Sequence, residues 1–307
     1  MKRDYVNEKD WKPGDISALL DLAGRMKSEP SRFREALPGK TLAMIFEKSS
    51  TRTRVSFEAG MFQLGGLAMF LSARDLQLGR GETVADTARV LSRYTDAIMA
   101  RTNAHSTVED LARHASVPVI NGLSDLLHPC QALADYLTVR ERFGGERGFR
   151  LCYIGDGNNV AHSLLVTGAK LGARVTVVTP AGFEPRPEVV GWAREAARET
   201  GASIQVTHSL EEGLAGARAV YTDVWASMGQ EAEAAERARA FENYRVTERV
   251  FAMAEPDAIF LHCLPAHRGE EVEAGVIDSP ASAVFDQAEN RLHAQKALLS
   301  TLMGGPS

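Results

Sequence analysis

The sequence predicts an α/β protein of two domains, each a parallel β-sheet flanked by helices. Three observations carry that expectation. Short β-type runs alternate with helical stretches along almost the whole chain. The strand candidates are near-continuous apolar runs, which marks strands buried on both faces. The chain has 307 residues, about twice an ordinary domain.

The elements follow in order. Thr41–Phe46 is an unbroken apolar strand after its first residue. From Arg52 to Leu64 one stripe holds Val55, Ala59 and Phe62 and a second holds Phe57, Met61 and Leu64. Two such stripes predict a helix buried on much of its circumference. Further strands are expected at Leu67–Leu71, Ala97–Ala100, Val117–Ile120, Leu151–Ile154, Val175–Val178, Ala219–Tyr221 and Ala258–Leu261. A helical pattern from Gln131 to Arg142 ends in the glycine-rich run Phe143–Gly148, which places a domain junction near residues 130–148. The last helix is expected from Gln287 to Leu302, with Asp286 as its N-cap.

Composition excludes several classes of protein. Lys and Arg number 35 against 40 Asp and Glu, a formal charge of −5, which argues against a general nucleic-acid binder. No apolar run approaches the roughly 18 residues of a membrane helix. The start Met1-Lys2-Arg3-Asp4-Tyr5 lacks the apolar core of a signal peptide. The three cysteines Cys130, Cys152 and Cys263 are far apart and indicate no disulfide framework. A cytoplasmic protein is the expectation.

Five segments could carry chemistry. Lys48-Ser49-Ser50-Thr51-Arg52-Thr53-Arg54 lies between a buried strand and a helix. The free N–H groups of a helix's first turn form an anion site, to which hydroxyls add donors and guanidinium adds charge. Arg52 and Arg54 are two apart, so only one meets a given anion. Capping by Ser50 or Thr51 is the plainer alternative. Next, His128 precedes Pro129, which suits a first helical turn and leaves the His on the loop as a hydrogen-bond donor or acid/base. Gly155-Asp156-Gly157-Asn158-Asn159 resembles a dinucleotide loop, but the next strand ends Val177-Val178-Thr179-Pro180 without the acidic ribose partner, so a nicotinamide cofactor is rejected. Asp223, after the strand Ala219–Tyr221, is either a helix cap or a carboxylate facing a cationic amine, with Gly229 permitting a mobile loop. Last, His262-Cys263-Leu264-Pro265-Ala266-His267 follows a strand. Three readings stay open there: zinc ligation by His262, Cys263 and His267, with His128 and Cys130 as further candidates; a Cys–His nucleophile; or a polarisable pocket residue.

Taken together, these segments resemble the aspartate/ornithine carbamoyltransferase family, on its ornithine-using side. The resemblance rests on Ser50–Arg54, Asp75–Glu82, His128–Gln131, Gly155–Asn159, Asp223–Gly229, His262–Pro265 and Phe285–His293, in that order. It implies a carbamoyl-phosphate domain of residues 1–133 plus 286–307, to which the final helix returns, and an ornithine domain of residues 134–285. It implies a homotrimer or a multiple of trimers, and neither metal nor cofactor. Family roles carried onto matching positions put Ser50, Thr51, Arg52 and Thr53 on the phosphate of carbamoyl phosphate, with Gln77 reaching it from a neighbouring subunit. Arg101, His128 and Gln131 would hold the carbamoyl group, and Cys263, Leu264 and Arg291 would complete that pocket. Asn159, Asp223, Ser227 and Met228 would bind L-ornithine. Arg101, His128, Asp223 and Cys263 are the expected catalytic set. Putrescine, N-acetylornithine and aspartate are competing acceptors. A Cys–His hydrolase and a non-catalytic anion-binding subunit are the readings outside the class.

Overall fold

The structure, a computed structural model, describes residues 2–74, 81–226 and 233–305. It forms two compact units, Met1–Leu137 with Asn290–Ser307 and Thr138–Glu289. The first unit is built on a parallel four-stranded sheet of β1 (Thr41–Phe46), β2 (Leu67–Ser72), β3 (Ala97–Arg101) and β4 (Val119–Leu123), in the order β2-β1-β3-β4. Helices α1 (Pro13–Ser28), α2 (Thr51–Gln63), α3 (Val84–Tyr94) and α4 (His105–His114) accompany it. Because β1 and β3 are neighbours with their crossovers running to opposite sides, the chain reverses direction between them. Ligands of open α/β sheets bind beyond the carboxyl ends of the strands at such a reversal. The loop after β1 and the end of β3 meet there, joined by the Glu47 N–H on the Arg101 carbonyl at 2.9 Å.

The second unit repeats the principle. Its parallel sheet holds β5 (Arg150–Ile154), β6 (Arg174–Val178), β7 (Ser203–Thr207), β8 (Ala219–Thr222) and β9 (Ile259–His262), in the order β7-β6-β5-β8-β9. Here the reversal lies between β5 and β8, so the Gly155–Asn158 loop and Asp223 flank it. Helix α6 (Asn159–Leu171) is buried almost all round, which accounts for its apolar sequence. Gly157 is required by close approach: a Cβ there would lie 2.1 Å from the Pro185 nitrogen.

Two long helices run through both divisions of the chain: α5 (Pro129–Phe143) and α12 (Val284–Met303). Residues Asn290–Ser307 belong to the first unit, where Lys296 is buried with its ammonium 3.0 Å from Gln63 Oε1. No helix among the described residues is long and apolar enough to cross a membrane.

Several sequence expectations need correction. β4 begins at Val119 rather than Val117, because Pro118 has no N–H to give to the ladder. The edge strand β7 was absent from the expectation; its Ser203-Ile204-Gln205-Val206-Thr207 alternates polar and apolar instead of reading as an apolar run. Asp286 is not the N-cap of α12, which starts at Val284 and carries Asp286 in its first turn. Only one stripe of α2 is buried. Phe57, Met61 and Leu64 lie in the core, whereas Val55 is 55% and Phe62 82% exposed in the single chain.

Candidate active site

In the first unit the anion-site segment forms the start of α2. Ser50 is its N-cap, with Oγ accepting from the Thr53 N–H at 3.2 Å, so capping and exposure of the remaining first-turn N–H groups occur together. The two arginines separate as their spacing requires. Arg54 turns outward to Glu58 at 3.0 Å and lies over the Phe70 ring. The charge of Arg52 acts on His128.

Around this turn the unit gathers Arg101 from the end of β3, His128 and Gln131 from the start of α5, and Arg291 from α12. All four are buried. Pro129 is the first residue of α5, and the His128 carbonyl accepts from the Gln131 N–H at 3.0 Å, which leaves the imidazole on the loop. Arg291 donates to Gln131 Oε1 at 2.6 Å and to Thr53 Oγ1 at 3.2 Å. This guanidinium therefore links the helix start to the amide of Gln131. Burial lowers the pKa of His128 well below the usual imidazole value, and the charges of Arg291, Arg101 and Arg52 push it the same way. The ring is neutral at physiological pH. A neutral imidazole among guanidinium groups can donate to a carbonyl oxygen that gains negative charge.

Cys130, beside these residues in sequence, takes no part. Its buried thiol points at the Asn121 carbonyl at 3.4 Å, and burial pushes its pKa up to about 12.

In the second unit Asp223 does not cap a helix; the residues directly after it are not helical, and the next α-helix among the described residues, α9, spans Ala234–Phe241. Its Oδ2 accepts from Asn158 Nδ2 at 2.9 Å, and its Oδ1 accepts from the Val224 N–H at 2.8 Å and from Cys263 Sγ at 3.0 Å. Asn158 is itself fixed: its Oδ1 caps α6 by accepting from the Val160 and Ala161 N–H groups at 2.9 and 3.1 Å. Asn158, which the sequence reading did not single out, holds Asp223. The signal was present, since Asn158 stands where a helix cap follows a glycine loop. Asn159 is the first residue of α6 and half-buried.

The end of β9 and the run after it are fixed by hydrogen bonds. His262 Nδ1 accepts from the Leu264 N–H at 2.8 Å, so its proton lies on Nε2, which faces Glu271 Oε1 at 3.2 Å. Glu271 Oε1 also accepts from the His267 N–H at 2.6 Å. Burial alone would raise the Glu271 pKa, but the hydrogen bonds from His262 and His267 lower it below the ordinary value. Leu264 adopts a φ of 57°, turning the chain directly after Cys263.

Donor atoms of Asp223, His262 and Cys263 lie within 4.8 Å of one another, which is metal-ligand spacing. The hydrogen bonds argue against ligation, because both nitrogens of His262 are engaged and Cys263 donates to Asp223. The same pattern weakens the Cys–His nucleophile: the thiol meets a carboxylate, and the adjacent imidazole serves Glu271. Gln77, Ser227 and Met228 lie outside the described residues.

Sequence reasoning missed Asp135 and Gln295. Asp135 accepts from Gln131 Nε2 at 2.8 Å. Gln295, with its amide oriented to suit its neighbours, donates from its nitrogen to Ser56 Oγ at 2.6 Å and accepts on its oxygen from Arg291 Nη2 at 3.1 Å. Each lies one helical turn beyond the residue it holds, at the i, i+4 spacing.

Comparison with known proteins identifies the family of the chain. The carbamoyl-P binding domain of aspartate/ornithine carbamoyltransferase matches residues 3–141, and the Asp/Orn binding domain matches residues 147–302. Ornithine carbamoyltransferase of Thermococcus kodakarensis is 57% identical over 99% of this chain and 97% of its own length. The Pyrococcus furiosus protein named ornithine carbamoyltransferase, anabolic, is also 57% identical, over 99% of this chain and 97% of its own. The solved structure of ornithine carbamoyltransferase from Pyrococcus furiosus superposes with a TM-score of 0.96 at 56% identity, covering 100% of this chain and 98% of that one. The chain belongs to the aspartate/ornithine carbamoyltransferase family.

Proposed function

We propose that this chain transfers the carbamoyl group of carbamoyl phosphate to the δ-amine of L-ornithine, giving L-citrulline and phosphate. The observation that carries the reading is the neutral, buried His128 set among Arg52, Arg101 and Arg291 beside the capped start of α2. That array suits an acyl phosphate: charge and helix N–H groups for the phosphate, neutral donors for the acyl oxygen. Ser50, Thr51, Arg52 and Thr53 take the phosphate. Arg101, His128 and Thr53 take the acyl oxygen, and Gln131, held by Arg291, takes the acyl amino group. Cys263 and Leu264, carried over from the family, are proposed as further contacts of the carbamoyl group.

The chemistry needs no covalent intermediate, since carbamoyl phosphate is already activated. The lone pair of the deprotonated δ-nitrogen attacks the carbonyl carbon, and the oxygen becomes an oxyanion on Arg101 and His128. The C–O bond to phosphate then breaks, the electron pair leaves with the phosphate, and the phosphate takes up the proton lost from the new amide nitrogen. One oxyanion donor is worth about 10²–10³ in rate. Holding both substrates oriented contributes the remainder.

Asp223 supports the choice of acceptor. Its carboxylate, held by Asn158 and Cys263, attracts the α-ammonium of ornithine and repels a dicarboxylate such as aspartate. An N-acetylated α-nitrogen would bring it no charge. Asn159, Ser227 and Met228 are proposed as further ornithine contacts, and Gln77 as a phosphate contact from a neighbouring subunit. The direction proposed is biosynthetic, toward arginine, as in the relative named anabolic. A cytoplasmic site accords with three cysteines of which none is in a disulfide.

A homotrimer, or a multiple of it, is part of the proposal. Its support is the apolar face left on the first unit by Val55, Phe62, Leu67 and Phe70, along α2 and the edge strand β2. Edge strands and apolar patches of this kind are normally covered by a partner.

Four outcomes test the proposal. Citrulline forms rapidly with ornithine and not with putrescine, N-acetylornithine or aspartate in parallel colorimetric assays; comparable turnover of another amine overturns the choice of acceptor. Replacement of Asp223 by Ala raises the KM for ornithine by about 10- to 100-fold, as expected for loss of one charge-assisted contact, with the KM for carbamoyl phosphate little changed. Because the pKa of His128 is lowered, kcat/KM for carbamoyl phosphate shows no limb near 6.5, the ordinary imidazole value. In the unfolded chain this imidazole protonates near that ordinary value, so its contribution to stability is full above about pH 6.5. Below that pH it declines toward the lower folded-state value. A limb at that pH that vanishes in His128→Asn contradicts the assignment. Finally, Phe62→Glu lowers the assembly state measured by light scattering, whereas an unchanged mass removes this face from the interface.

A further inference from the structure

The amide of Gln131 has two neighbours of opposite hydrogen-bonding type. On one side Asp135 Oδ1 lies 2.8 Å from Nε2, and a carboxylate only accepts. On the other side Arg291 Nη1 lies 2.6 Å from Oε1, and a guanidinium only donates. Only one orientation of the amide satisfies both, and the alternative would oppose acceptor to acceptor and donor to donor. Asp135 is fully buried and Gln131 nearly so, so water does not readily replace either partner. Asp135 follows Gln131 by one turn of α5, and the helix itself sets their distance.

We propose that Asp135 is a specificity-determining positioning residue: it fixes the Gln131 amide with its oxygen presented to the acyl group, so that the site selects an acyl phosphate bearing an amino group over one bearing a methyl. This rests on the reading of Gln131 as the contact of the carbamoyl amino group. The amide oxygen has two lone pairs, one for Arg291 and one for a substrate N–H. A methyl group offers no hydrogen and leaves that lone pair buried without a donor. A site built to bond an N–H rejects the analogue that lacks it much more strongly than an apolar pocket rejects an added group. Arg291 enforces the same orientation, but its charge also serves the substrate. Asp135 holds the other end of the amide and carries no positive charge for an anion, which makes it the residue to change. Gln295 stands in the matching relation to Arg291, holding the guanidinium from one turn further along α12.

The test compares carbamoyl phosphate with acetyl phosphate, in which a methyl group replaces the amino group, as a competitive inhibitor. In Asp135→Leu the Gln131 nitrogen is left buried without an acceptor and the side chain leaves its orientation. The KM for carbamoyl phosphate then rises about 10- to 100-fold while the inhibition constant of acetyl phosphate is unchanged. In Asp135→Asn the side-chain oxygen still accepts, and the discrimination between the two acyl phosphates is retained. Asp135→Ala repeats the comparison without the bulk of Leu, should that variant not fold as judged by thermal melting. The proposal is overturned if Leu or Ala weakens both ligands equally, if neither changes the KM, or if Asn behaves as Leu does. Failure of the underlying reading looks different: the unaltered enzyme itself then binds acetyl phosphate as tightly as carbamoyl phosphate.

Discussion

The positive charge collected at the sheet reversal of the first unit is the constraint on which the rest of this site depends. Arg52, Arg101 and Arg291 act together on one imidazole and, with its burial, hold it neutral. An arrangement of this kind is costly in the absence of a negative ligand, because like charges repel most where water is scarce. The fold meets that cost with fixed geometry. Arg291 is tied to Thr53, Gln131 and Gln295, and Arg101 stands at the end of a fully buried strand. A phosphate would relieve the repulsion, which is why the proposed acyl donor suits this cluster. The neutral His128 follows from its burial first and then from the same charges, since a cationic ring would add a further like charge to the cluster.

The second unit answers the same sheet geometry with the opposite sign. At its reversal stands a carboxylate, Asp223, whose two oxygens are occupied by Asn158, the Val224 N–H and Cys263. Three donors fix its direction without cancelling its charge. His262 supports this from behind. By accepting from the Leu264 N–H and facing Glu271 it sets the turn that carries Cys263. A thiol spent on orienting a carboxylate is poorly placed for nucleophilic attack, and the bond pattern rather than the residue identity makes that distinction.

Most of the sheet framework was legible because parallel strands buried on both faces leave apolar runs in the sequence. β7 was not, since an edge strand mixes Ser203, Gln205 and Thr207 with Ile204 and Val206 and loses that signature. Helix α2 shows the converse. Its second apolar stripe is plain in the sequence, but periodicity reports only that a face avoids water, and Val55 and Phe62 remain exposed in the isolated chain. At the site, His128, Gln131 and the Ser50–Arg54 segment were legible because unusual polar residues follow strands or begin helices. Asp135 and Gln295 were not. A polar residue inside a helix is ordinary, and its meaning depends on a partner one turn away whose own role comes first.

That dependence has a chemical consequence. Charge brings an anion to the first unit, but charge does not tell a carbamoyl group from an acetyl group of nearly the same shape. The distinction has to come from a neutral acceptor facing the amino group, and a primary amide provides one only if it is kept from rotating. An acceptor-only neighbour at one end of Gln131 and a donor-only neighbour at the other remove that freedom. On the proposed reading, the guanidinium that supplies charge to the substrate also supplies half of the orientation. Affinity and selectivity share Arg291, and Asp135 is where the two can be separated.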